Sequence, residues 1–129
     1  MKKLYSVIAL LIVASLALSA CGGAAAGFKV AQVTDLGGID DKSFNAGAYA
    51  GIEKAVADFG IEGKYLESTQ QSDYNKNIQQ LIDEDTNLII TVGFLLGVDT
   101  AIAAKANPET KFAIVDYAYP DCFGDPADE

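Results

Sequence analysis

The 129-residue sequence contains no arginine, no histidine and no tryptophan, and only two cysteines. Without histidine it lacks the commonest general base and the commonest metal-binding nitrogen. Without arginine it lacks the planar fork that holds phosphate at two points. A Ser–His pair is impossible, and no G-x-S-x-G elbow, GK[ST] phosphate loop or G-x-G-x-x-G turn follows the first strand. Basic residues are scarce as well: nine lysines face eighteen acids, a formal charge of −9. Nucleic acid is a poor partner for such a chain, because phosphate backbones are bound by clustered Lys and Arg. No complete catalytic constellation is left, and the sequence is not that of an enzyme.

What is present begins with an address. "MKK" is followed by the apolar run "VIALLIVASLALSA" and by Cys21, the charged, apolar and small-residue order of an export signal. The run is short for a membrane span of ~20 residues, and no charged stop follows it. Leu18 to Cys21, "LSAC", resembles a lipobox, which predicts cleavage after residue 20 and a lipid on Cys21. Residues 1–20 are then a lipoprotein signal peptide, and 21–27 ("CGGAAAG") a featureless tether free to swing. Residues 28–129 form one domain, held on the outer face of the cell membrane. From Cys21 onward, seven lysines meet eighteen acids, a formal charge of −11 over 109 residues. With Cys21 lipidated, Cys122 has no partner for an internal disulfide.

Strand and helix patterns alternate through the domain. "FKVAQVT" (28–34) is a valine-rich strand. From Ser43 the period changes, and Phe44, Ala48, Ile52, Ala55, Val56 and Phe59 share one helical face that ends at Gly60. "KYLES" is a second strand. "SDYNKNIQQLIDED" is a helix opened by a Ser or Asp cap, with Tyr74, Ile78, Leu81 and Ile82 on one stripe. "NLIITV" is a continuous apolar run, the pattern of a strand buried on both faces. A third helix lies within "VDTAIAAKAN", and "KFAIVD" is a fourth strand. Such alternation predicts an α/β fold, a parallel sheet with helices on both faces and right-handed crossovers. Four strands are fewer than the about five or six of common doubly wound domains, so the domain is either small or cut.

Ligands of open parallel sheets bind beyond the carboxyl ends of the strands. Those ends carry Thr34-Asp35, Glu67-Ser68-Thr69, Thr91 to Phe94, and Asp116-Tyr117. The stretch "TDLGGIDDKSFN" crosses the same rim. Gly37 and Gly38 allow a sharp turn or expose amides. Asp40, Asp41 or Ser43 is suited to cap the first helix. Asp35 and Asp116 accept hydrogen bonds from hydroxyl or N–H donors. Phe44 either starts the core stripe or turns its ring to the rim, beside Asn45, where the pair would read a flat heterocycle. Lys42 is either solvated or paired with a neighbouring aspartate. Asp35, Asp40 and Asp41 are carboxylates of the kind that hold Mg²⁺ or Ca²⁺, but no metal and no cofactor is assigned. A phospho-accepting receiver is excluded because strand three ends in Thr91-Val92-Gly93 rather than in an aspartate.

"VTDLGGIDDKSFNAGAYAGIEKA", "ESTQQSDYNKNIQQLI", "NLIITVGFLLG" and "NPETKFAIVD" resemble, in order and spacing, the basic membrane protein family. These are lipoprotein substrate-binding components of ABC transporters for purine and other nucleosides. The resemblance runs from Phe28 to Tyr119. It implies the first lobe of a type I periplasmic-binding-protein-like fold, incomplete because the family's second lobe is absent. It further implies a nucleoside ligand bound in an interlobe cleft for uptake, and ABC permease subunits as partners. By position, Asp35 and Asp116 resemble the family's acidic ligand contacts, Phe44 its stacking aromatic and Asn45 the polar neighbour on the base edge. Gly93 and Phe94 match the segment lining the cleft, while Gly37, Gly38, Asp40 and Asp41 shape the loop. Other readings are the same fold with a sugar or signalling ligand, and a surface lipoprotein without a small-molecule site.

Overall fold

The computed structural model describes residues 27–119. The signal peptide, residues 21–26 of the tether and Cys122 lie outside that range. β1 (Lys29–Val33), β2 (Glu62–Leu66), β3 (Leu88–Val92) and β4 (Lys111–Val115) alternate with α1 (Phe44–Phe59), α2 (Asp73–Asp83) and α3 (Gly97–Ala106). A 3₁₀ turn at Phe94–Leu96 leads into α3. The strands pair in the order β2-β1-β3-β4, and all three ladders are parallel. This is the parallel α/β architecture, with helices on both faces, that the alternation predicts.

Side-chain direction alternates along each strand, so β1 feeds both faces of the sheet. Ala31 and Val33 join Ile89, Leu96 and Ala103 and the α2 stripe of Tyr74, Ile78 and Leu81 in the principal core. On the opposite face, β1 turns Gln32 toward α1, where its Nε2 donates to the Asn45 carbonyl at 3.0 Å. Ile52 of α1 is buried and reaches β2, where a Cβ on Gly63 would stand 2.7 Å from it.

Coverage is less even than the apolar runs suggest. Leu88 and Ile90 of β3 are only half-buried, and Lys111 and Ala113 of β4 are exposed. On the α1 side one helix must cover four strands, and it packs mainly on β1, β2 and β3; among the described residues β4 ends the sheet. The α1 stripe also outruns the sheet. Ile52 is buried, Ala48, Ala55 and Val56 are half-buried, and Phe44 and Phe59 at the two ends are exposed.

Helix ends are held as follows. Asp41 caps α1: Oδ1 accepts from the Ser43 and Ala46 amides at 2.8 and 3.0 Å, and Oδ2 from the Asn45 amide at 2.9 Å. The far end closes on Gly60 at φ 66, whose N–H donates to the Val56 carbonyl. α2 departs from expectation, since Ser72 makes no side-chain cap bond. Asp73 instead accepts from Thr69 and Gln70 behind it, which ties down the loop before the helix.

Candidate functional site

The carboxyl ends of the strands form a rim, and its centre is Asp35. Asp35 Oδ1 accepts from the Gly37 amide at 2.9 Å and from Asn45 Nδ2 at 2.7 Å. Asn45 Nδ2 also donates to Asp41 Oδ2 at 3.1 Å. One side-chain amide therefore bridges the helix cap and the carboxylate at the end of β1. Asn45 itself is 1% exposed, and its Oδ1 has no partner among the described residues. In this structure its amide hydrogens serve the two aspartates, so Asn45 acts on the rim through Asp35.

Asp35 Oδ2 lies against the backbone after β3. A Cβ on Gly93 would stand 2.6 Å from it, and Gly93 has φ +102, a conformation side chains rarely adopt. Both facts require glycine there. The β1–α1 loop is clamped from β2: Glu67 Oε1 accepts from the Ile39 amide at 2.8 Å. Asn77 of α2 in turn donates to the Glu67 carbonyl and to Ser68 Oγ, each at 3.0 Å. Thr34 Oγ1 accepts from the Ser68 amide at 3.2 Å. Glu67 stands in a rim position of the sequence. Its clamp and that of Asn77 depend on contacts between elements that no local pattern carries.

Asp116 is two strands from Asp35, roughly 10 Å at ordinary strand spacing. It is exposed and held at φ 64. Beyond it, Tyr117 packs on the α3 start, where a Cβ on Gly97 would meet its ring at 2.7 Å. Tyr119 donates its hydroxyl to the Gly97 carbonyl at 2.8 Å. Phe44 is 54% exposed and so is not a core residue, and Phe94 is exposed as well. Asp40 is exposed. Lys42 is exposed at φ 54, and among the described residues it forms no ion pair with either aspartate.

The amide of Ala46, foremost among the donors on Asp41, holds that carboxyl at about 2, below its usual 3.8. Burial pushes the Tyr74 hydroxyl up, and the charges of Asp35 and Asp99 add to this. Among the described residues no trio of acids or cysteines is gathered to hold a metal ion. No helix among them is long and apolar enough to cross a membrane.

An all-parallel sheet with helices on both faces carries acids, glycine-exposed backbone and unburied aromatic rings on its carboxyl rim, the edge where open parallel sheets bind their ligands. The chain belongs to the Bmp family of PnrA-like ABC transporter substrate-binding proteins, whose family model matches residues 28–122. It is 34% identical over 125 residues to the CD4+ T-cell-stimulating antigen of Listeria innocua, covering 84% of this chain and 35% of that one. It is 34% identical over 97 residues to the ABC transporter nucleoside-binding protein BmpA of Lactococcus lactis, covering 72% and 28%. A crystal structure of a fragment described as a lipoprotein from Peptoclostridium difficile 630 superposes with TM-score 0.65. That match has 28% identity and covers 71% of this chain and 75% of the other. The chain thus spans about a third of the length of the curated relatives it matches, or less.

Proposed function

We propose that residues 28–129 are the first lobe of a lipid-anchored receptor that passes a nucleoside, purine type first, to an ABC permease, and that the rim is one wall of its interlobe cleft. In this reading Phe44 stacks on one face of the base, and Asp35 and Asp116 accept hydrogen bonds from ribose hydroxyls or base N–H groups. Gly93 and Phe94 line the wall between them. Asn45, Gly37 and Asp41 aim Asp35, while Gly38 and Asp40 shape the loop. The observation that carries the reading is the Asp35–Asn45 bond beside an unburied Phe44: a fixed acceptor next to a free aromatic face. Support comes from the family and from the nucleoside-binding relative of Lactococcus lactis.

A lobe alone neither excludes water nor buries most of a ligand, so its affinity is low. The expected dissociation constant of the isolated chain for inosine, guanosine or adenosine is on the order of 1 mM or weaker, about 4 kcal/mol. Titration followed by amide NMR tests this. Nucleoside should shift the Gly37, Asp35 and Gly93 signals, and Phe44→Ala should abolish the shifts. Equal shifts with a panel of free sugars would turn the reading to a sugar receptor. Sub-micromolar binding by this chain alone would contradict a half-site.

A further inference from the structure

All four strands begin at the pole opposite the rim, and two exposed phenylalanines stand there. Phe28, just before β1, is 49% exposed; Phe59, the last residue of α1, is 77% exposed. The backbone brings them together. The Glu62 amide donates to the Phe28 carbonyl at 3.0 Å, and Phe59 precedes Glu62 by only two intervening residues, Gly60 and Ile61. The adjacent Asp58 is paired with Lys54. Two uncovered phenylalanines suit an apolar partner, with the exposed Glu62 beside them left to the polar headgroup side.

The chain says which partner is near. Only residues 22–27, "GGAAAG", separate the lipobox cysteine from Phe28, a reach of at most roughly 25 Å when fully extended. Gly27 approaches β2 on this side, where its Cβ would stand 3.3 Å from Glu62 Oε1. An anchor on Cys21 therefore keeps this pole, the end of the lobe nearer the tether, within that reach of the bilayer. Aromatic and aliphatic side chains at such a surface bury themselves at the boundary of headgroups and acyl chains. The excess of acids over lysines makes attraction to anionic lipid a poor alternative.

We propose that Phe28 and Phe59 form a membrane-contact patch that seats in the lipid–water interface beside the anchor. The proposal rests on the lipid-anchored part of the reading above and is independent of the ligand.

The absence of tryptophan supplies the experiment. Lipidated full-length chain carrying Phe59→Trp is reconstituted into phosphatidylcholine vesicles with brominated acyl chains, and Leu95→Trp on the rim serves as the control. Phe59→Trp emission should move to the blue on reconstitution and lose half or more of its intensity to bromine, while Leu95→Trp does neither. Phe28→Trp should repeat the result and replaces the first reporter if that one fails to fold. Water-like, unquenched emission at both positions would overturn the proposal. Blue but unquenched emission would overturn it too, because protein would then cover the patch. A mature chain recovered without lipid on Cys21 would have the same consequence. Nucleoside titration of the same vesicles reports on the ligand separately, so either reading can fail alone.

Discussion

The Asp35 carboxylate packs against a backbone with no side chain: a Cβ on Gly93 would come within 2.6 Å of Asp35 Oδ2 and 3.0 Å of Asp35 Cβ. The ends of β1 and β3 meet here, and the glycine leaves the room in which the acid is aimed. Gly93→Ala must move Asp35 and also hold a side chain at φ +102. The expected loss is roughly 1–3 kcal/mol, read as a lower urea midpoint. Loss of nucleoside-induced shifts at Gly37 should accompany it. Unchanged stability together with unchanged shifts would mean that the β3 turn relaxes without disturbing the acid.

Acid should loosen α1 at its first turn. The Asp41 carboxyl lies at about 2 when folded against an ordinary 3.8. A depressed folded value means that its contribution is complete above the unfolded value and is lost as pH falls through the folded one. Asparagine also caps helices, so Asp41→Asn isolates the charge. Wild type should melt higher than Asp41→Asn at pH 5, and the gap should close between pH 3.8 and 2. A gap that persists at pH 2 would locate the effect in shape rather than in charge.

Asp116 is held at φ 64, where a side chain is strained. Asp116→Gly removes that strain and should stabilise the domain by up to roughly 1 kcal/mol, seen as a higher melting temperature. Under the proposed function the same change removes an acceptor and weakens nucleoside binding. A gain in stability with undiminished binding would remove Asp116 from the site.

Charge on the rim separates ligand classes. Asp35, Asp40, Asp41, Glu67 and Asp116 stand at the carboxyl ends of the strands and the loop between them, with Lys42 their one cation in that loop. A 5′-phosphate entering this field is repelled. Inosine monophosphate should bind at least tenfold more weakly than inosine, about 1.4 kcal/mol, and added salt should narrow the difference. Equal binding in low salt would place the phosphate outside the rim.

Much of this was legible in the chain itself. The apolar periods of "FKVAQVT", "NLIITV" and "KFAIVD" located three strands to within about a residue or two of their ends. "KYLES" ran two residues late, because Glu62 and Gly63 pair with β1 without any apolar signature. The rim followed from topology, since parallel strands bring Asp35, Glu67, Gly93 and Asp116 to one side regardless of detail. Burial was harder to read. Phe44 and Phe59 lie on the apolar stripe yet overhang the sheet, which no helical period reveals. β4 has the apolar composition of a central strand yet ends the sheet among the described residues, because its place depends on which strands pair. Asn45 reads as a polar group at a helix start; its burial arises because the loop folds Asp35 and Asp41 around it.

The strand order also fixes how the molecule bears load. β1 enters from the tether side and is hydrogen-bonded along its length to β2 on one flank and β3 on the other. A pull between an anchored amino terminus and the lobe would run along β1 and strain both ladders in shear at once, instead of peeling an edge strand one bond at a time.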